Sequence, residues 1–213
     1  MSFGLSGPHR SGKTTLAKAF AEHEDIPLVQ TTASGVFARL GLSPSETLSF
    51  EKRITVQRHI LDAFDAQWGA VAGGVFISDR TPIDMMAYTM VEIGQEPIGA
   101  SNEAELTRYL KDCRNVLSMR FSTVVLLGSG IPIVDAPGKA SLSRPFIDHL
   151  SMVIDGLCVM PGITPAVFRI DPSETGLAER VQALSEIIDD QFAAQESGAK
   201  DAAKLLGAPL TFH

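Results

Sequence analysis

Close to its start the chain reads G-P-H-R-S-G-K-T over Gly7 to Thr14, which places Gly7, Gly12, Lys13 and Thr14 on the spacing G-x-x-x-x-G-K-[ST]. No other stretch limits the fold as much. A loop of this kind turns back over a phosphate chain with its backbone N–H groups facing inward, and glycine permits both the turn and the close approach. Lys13 then carries a positive charge to the β- and γ-phosphates, and the Thr14 hydroxyl ligates Mg²⁺. His9, Arg10, Ser11 and Thr15 complete the expected phosphate contacts, and the helix that follows aims its positive end at the same anion. The flanks agree: Ser2 to Ser6 is short and mostly apolar, as a buried strand would be, and Thr14 to His23 has Leu16, Ala17, Phe20 and Ala21 at helical spacing.

At 213 residues the chain suits one α/β domain with a full core and room for a lid. Its net charge of −7 argues against broad binding to nucleic acid or anionic membranes. Cys113 and Cys158 are far apart and fit no metal spacing, which reads as two reduced thiols. There is no signal-peptide pattern and no apolar run of membrane-spanning length, so the expectation is a soluble, cytoplasmic protein. The sequence leaves a homodimer open.

Strands and helices alternate along the rest of the chain. Pro27 to Thr31 reads as a strand, Ser34 to Leu40 as a helical turn, and Ser43-Pro44-Ser45-Glu46 as the start of a long helix reaching Val71, with Gly73-Gly74 ending it. Val75 to Asp79 is the next strand, followed by a helix opening at Pro82 and another from Ser101 to about Met119. Ser122 to Leu127 is apolar enough for a central strand. Arg144 to Met160 is helical in pattern, Pro165 to Asp171 is the fifth strand, and Glu174 to Phe192 is an amphipathic helix. This order predicts a three-layer α/β/α P-loop NTPase fold around a five-stranded parallel sheet, with ligands at the carboxyl ends of the strands. The expected domain spans residues 1–195, with a lid at about 128–147 and a C-terminal tail over 196–213.

Asp79 closes the third strand on the same sheet edge as the phosphate loop. A carboxylate there holds Mg²⁺ through water, or accepts the proton of an attacking hydroxyl, and the two roles are compatible. Arg80, next in the chain, can clamp a phosphate. Lys139 and Arg144 are the cations a lid would bring onto the phosphates. The acceptor pocket is expected between the long helix and the helix after Asp79, with Arg39, Arg53, Gln57, Asp84 and Tyr88 as its candidates: glutamine for a base edge, arginine for a phosphate, tyrosine for a ring or a sugar hydroxyl. Asp171 to Gly176 stands where an adenine would be covered.

The stretch V-F-I-S-D-R-T-P-I-D-M-M-A-Y from Val75 to Tyr88, with G-P-H-R-S-G-K-T-T upstream, resembles the P-loop kinases of small metabolites: the deoxynucleoside, thymidylate and ribosylnicotinamide kinases. Those families carry an acid-Arg-Ser/Thr triplet after the third strand, matched here by Asp79, Arg80 and Thr81. The resemblance implies an acid that orients the acceptor hydroxyl and an arginine near the transferring phosphate. Deoxynucleoside kinases usually have Glu where Asp79 stands, which pulls toward the monophosphate and ribosylnicotinamide relatives.

The expected activity is therefore transfer of the γ-phosphoryl of Mg·ATP to a nucleoside, a nucleotide or a nucleoside-like small molecule. The expected catalytic residues are Lys13, Asp79 and Arg80, and Thr14 and Asp79 are the expected metal partners. Four rival readings stand beside this one. Asp135-Ala136-Pro137-Gly138 matches the D-x-x-G of GTPases, but no guanine-reading N-K-x-D accompanies it. A hydrolytic P-loop ATPase would want a second acid where Arg80 stands, and a passive nucleotide-binding module has no use for Asp79-Arg80. Phage-type kinases of a hydroxymethylated pyrimidine in DNA share the layout, and the acidic charge disfavours so anionic a partner.

Overall fold

The structure, a computed structural model, describes residues 1–43, 46–93, 97–131 and 143–206, with the backbone alone over 198–206. Five parallel strands form one sheet in the order β2-β3-β1-β4-β5, where β1 is Ser2–Ser6, β2 Leu28–Val29, β3 Phe76–Ser78, β4 Thr123–Leu127 and β5 Ala166–Ile170. β1 lies at the centre, with Gly4 in register with Ser78 of β3 on one side and Val124 of β4 on the other. β4 is interior, as its apolar run predicts, and every one of its residues is buried.

Alternation along the strands divides the core between the two faces of the sheet. Phe3, Leu5, Val125 and Leu127 pack under α1 (Lys13–Glu24) and α7 (Leu177–Leu206), with Leu16, Phe20, Leu184 and Ile188. Val124 and Leu126 point the other way, into a larger cluster beneath α3 (Phe50–Gly69), α4 (Pro82–Ile93), α5 (Gly99–Arg120) and α6 (Arg144–Cys158). A six-residue helix, α2 (Ser34–Arg39), adds Val36 to that cluster. Gly4 is needed at the centre of the sheet: a Cβ there would collide with the Thr81 methyl and the Phe121 ring.

Element boundaries differ from expectation in two informative places. The long helix begins at Phe50 rather than Ser43, because Ser49 is its cap and accepts from the Lys52 N–H at 3.4 Å. Ser43 and Glu46 instead belong to a separate turn, in which the Glu46 N–H donates to the Ser43 carbonyl at 3.0 Å. Pro44 and Ser45 lie outside the described residues. At the other end, α7 continues unbroken past Ala193 to Leu206.

Two braces fix the end of β3. The Trp68 indole N–H, buried in α3, donates to Ser78 Oγ at 3.0 Å, and Ser6 Oγ meets Thr81 Oγ1 at 2.6 Å. The carboxyl ends of β1 and β3 are thereby held side by side, and the residues that follow each strand share one edge.

Candidate functional site

Residues 7–12 leave β1 and wrap into the start of α1. Gly7 sits so close to β4 that a Cβ would run into the Leu127 carbonyl oxygen. Gly12 caps α1 with φ 82°, a left-handed conformation that suits glycine. The Ser11 hydroxyl donates to the Pro8 carbonyl at 3.0 Å and closes the loop on itself. The result is a cleft of about 380 Å³ lined by His9, Arg10, Ser11, Gly12, Lys13, Thr14, Thr15, Asp79 and Arg80. The sequence reading expects His9 to Thr15 at the nucleotide, and Asp79 and Arg80 beside it as catalytic residues.

Lys13 is nearly buried and curls back over the loop, donating to the Gly7 carbonyl at 2.6 Å and the Pro8 carbonyl at 2.9 Å. Its ammonium also lies 3.8 Å from Asp84. Burial lowers its pKa to about 8, with Arg80 pushing the same way and Asp84 and Asp79 resisting.

Asp79 is buried and bonded on both oxygens. Thr14 Oγ1 donates to Oδ2 at 2.7 Å, and the Thr31 backbone N–H donates to Oδ1 at 3.1 Å. Three segments therefore meet at one carboxylate: the start of α1, the residue just past β3 and the loop after β2. Two hard oxygens, from Thr14 and Asp79, stand together beside the phosphate cradle, the donor chemistry that Mg²⁺ prefers. Among the described residues no cluster of three or more His, Cys, Asp or Glu could hold a metal by itself. A divalent ion here would depend on phosphate oxygens and water for the rest of its shell.

The acceptor candidates are scattered. Tyr88 is close to the cleft: its hydroxyl is 2.9 Å from His9 Nδ1, and the Arg80 guanidinium carbon lies 5.8 Å from its ring centroid. Asp84 is not among the residues that line this cleft. It is fully buried beneath the phosphate loop, where Oδ1 accepts from the Gly7 N–H at 3.2 Å and Oδ2 from the Thr81 N–H at 3.1 Å. The first turn of α4 aims it inward, toward the backbone groups that need an acceptor. Arg53 is paired with Glu92 at the far end of α4, and Gln57 accepts from the Tyr109 hydroxyl at 3.4 Å. Arg39 is exposed at the end of α2.

Of the lid cations, Lys139 lies outside the described residues, as does Asp135-Ala136-Pro137-Gly138. Arg144 is exposed at the start of α6 and pairs with Asp148 at 2.9 Å, one turn along the same helix. Asp171 folds the segment after β5 into a tight turn, accepting from the Ser173 N–H and hydroxyl at 2.8 and 2.7 Å. Pro172 packs on Gly128 and Gly130, so close that a Cβ on Gly130 would strike the Pro172 carbonyl.

Two contributors escaped the sequence reading. Thr31 carries no motif. Arg180 of α7 is 4% exposed, and it reaches the back of the loop to donate to the Ser11 carbonyl at 2.9 Å. Its Nε has no partner among the described residues, and desolvation lowers its pKa. The signal was spacing: Arg180, Leu184 and Ile188 fall at i, i+4 and i+8 on one buried face.

The fold is shared with solved P-loop enzymes of low sequence identity. A deoxyadenosine kinase from M. mycoides with bound dCTP superposes with a TM-score of 0.58 at 14% identity, over 89% of this chain and 100% of that one. A thymidylate kinase from Candida albicans gives 0.52 at 13% identity, over 90% and 92%. The NadR protein in complex with NAD and AMP-PNP gives 0.61 at 15% identity, over 87% of this chain and 48% of that one. The resemblance to P-loop nucleoside and nucleotide kinases is thus borne out as a likeness of fold. No curated protein matches the chain. A family match covers residues 3–125, which run from β1 through the phosphate loop and Asp79 into β4. On that match, over more than half its length, the chain belongs to the AAA domain family.

Proposed function

We propose that the protein is a kinase that transfers the γ-phosphoryl of Mg·ATP to a hydroxyl or phosphate of a nucleoside-like acceptor. The observation that carries this reading is the junction of Thr14, Asp79 and Arg80 on one cleft, with Thr14 and Asp79 hydrogen-bonded at 2.7 Å. The loop N–H groups and Lys13 stabilise charge on the β- and γ-oxygens, and Lys13 leaves the Gly7 and Pro8 carbonyls to do so. Thr14, with Asp79 behind it, holds the Mg²⁺ that accompanies the triphosphate. Asp79 orients the acceptor, and Arg80 neutralises the phosphoryl group as it moves.

Arg80 also separates this reading from hydrolysis. An ATPase activates water with an acid beside the metal acid, and here that position presents a guanidinium. The relatives support a nucleoside, a nucleotide or ribosylnicotinamide as acceptor, because the fold is theirs.

The test is a pair of variants assayed for nucleotide binding and turnover separately. Lys13→Ala is expected to abolish transfer. Asp79→Asn is expected to bind ATP within a few-fold of wild type and to lose transfer by about 10²-fold or more. Wild-type turnover in Asp79→Asn would remove that residue from the mechanism.

A further inference from the structure

The phosphate loop holds two left-handed residues, Arg10 at φ 63° and Gly12 at φ 82°, with Ser11 outside that region between them. Alternation of this kind turns successive backbone N–H groups to one side and forms a concave anion site. A residue other than glycine is uncommon in that conformation and is kept there by its surroundings. From within, the loop is closed by the bond from the Ser11 hydroxyl to the Pro8 carbonyl. From behind, it is held by α7.

Arg180 stands in the first turn of α7. One and two turns further along, Leu184 and Ile188 are buried in one cluster with Leu5, Leu16 and Phe20, which fixes the direction from which the side chain approaches. Its Nη2 donates to the Ser11 carbonyl at 2.9 Å. Its Nη1 lies so close to Gly12 that an added Cβ would come within 2.8 Å of it. Ser11 and Gly12 line the cleft, and Arg180 is not among the lining residues. The Ser11 carbonyl is therefore taken from the side of α7, away from the nucleotide.

That carbonyl shares one planar trans peptide with the Gly12 N–H, and across such a peptide the two groups point in opposite directions. Holding the carbonyl from behind leaves the N–H on the side of the cleft. A bond from a cation also polarises the peptide and strengthens the donor at its other end. Burial of a cation without a carboxylate costs stability, so packing alone does not account for a guanidinium here. We propose that Arg180 is a positioning residue for phosphate binding: by pinning the Ser11 carbonyl it sets the Ser11–Gly12 peptide so that the Gly12 N–H donates to a phosphate oxygen. The ligand class it serves is a polyphosphate, whatever base is attached. That role rests on the nucleotide reading of the loop and deepens it.

Full-length wild type, Arg180→Met and Arg180→Lys are titrated with inorganic tripolyphosphate and with ATP, both with Mg²⁺, while the Gly12 amide is followed in the ¹H–¹⁵N spectrum. In wild type the Gly12 amide proton is expected to move downfield as tripolyphosphate saturates, the signature of a new bond to phosphate. Arg180→Met is expected to raise the Kd for tripolyphosphate and for ATP alike by about tenfold, the worth of one good hydrogen bond, and to lose the Gly12 shift even at saturation. Arg180→Lys, whose ammonium can still reach the Ser11 carbonyl, is expected to recover most of both. A Gly12 shift intact at saturation in Arg180→Met would mean a charge acting at a distance and overturns the proposal. So does a loss seen with ATP but not with tripolyphosphate, or a Lys variant no better than Met. Should Arg180→Met fail to fold, wild type still decides: a Gly12 amide that tripolyphosphate leaves unmoved overturns the assignment. If wild type binds neither ligand, the nucleotide reading fails and takes this role with it; binding without transfer to any acceptor removes the kinase reading alone.

Discussion

The Thr14 hydroxyl donates to the Asp79 carboxylate across 2.7 Å, tying the start of α1 to the end of β3. The two residues are 65 positions apart, and only the parallel pairing of β1 with β3 brings them together. Asp79 also accepts from the Thr31 N–H, so its side chain is fixed before any ligand arrives. Fixed dipoles of this kind cost no reorganisation at the moment of reaction.

Asp84 should prove essential to the loop rather than to the acceptor. Its two oxygens take the Gly7 and Thr81 N–H groups, and Lys13 lies 3.8 Å away. Asp84→Ala strands two buried donors and a buried ammonium, with an expected loss of about 2–4 kcal/mol in urea unfolding. A loss under about 1 kcal/mol would mean that the carboxylate does not hold the loop.

The imidazole of His9 gives the fold a defined acid sensitivity. Its pKa falls from 6.5 to about 4 on folding, chiefly through burial. The unfolded chain binds more protons between those values, so this contribution is present above pH 6.5 and is lost as pH falls toward 4. Thermal unfolding of wild type and His9→Gln across that window should show wild type losing on the order of 1–2 kcal/mol relative to the variant, discounted for the ring's partial exposure. Parallel curves would contradict the buried, neutral ring.

Arg180 is a buried guanidinium with no carboxylate beside it among the described residues, anchored to the Ser11 carbonyl. Replacing an uncompensated buried charge with an apolar chain of similar length is neutral or stabilising in many proteins. Arg180→Met is therefore expected to keep or raise the melting temperature while weakening ATP binding about tenfold, because a positive charge behind the loop is gone. A lower melting temperature with unchanged ATP affinity would assign Arg180 to packing.

Much of this was legible in the chain, for identifiable reasons. The phosphate loop is a local motif, and spacing alone places Gly7, Gly12, Lys13 and Thr14. Asp79 follows an apolar run short enough to be a strand, so its position on the ligand edge follows from α/β topology. Asp84 was misplaced because adjacency in sequence says nothing about which way the first turn of α4 faces. Thr31 contributes a backbone N–H, which no residue type announces. Ser49 was passed over as a cap because Ser43-Pro44 imitates a helix start, and only hydrogen bonding decides between two serines. Arg180 was visible on the apolar face of α7, but its target is 169 residues away.

Phosphoryl transfer itself is the central claim, and one labelling experiment tests it directly. Purified protein is incubated with γ-labelled ATP, Mg²⁺ and a panel of deoxynucleosides, their monophosphates, ribosylnicotinamide and hydroxymethyluracil-containing DNA. The account predicts label on a small nucleoside-like molecule, absent with Lys13→Ala. Label released only as free phosphate, or found only on DNA, would contradict it.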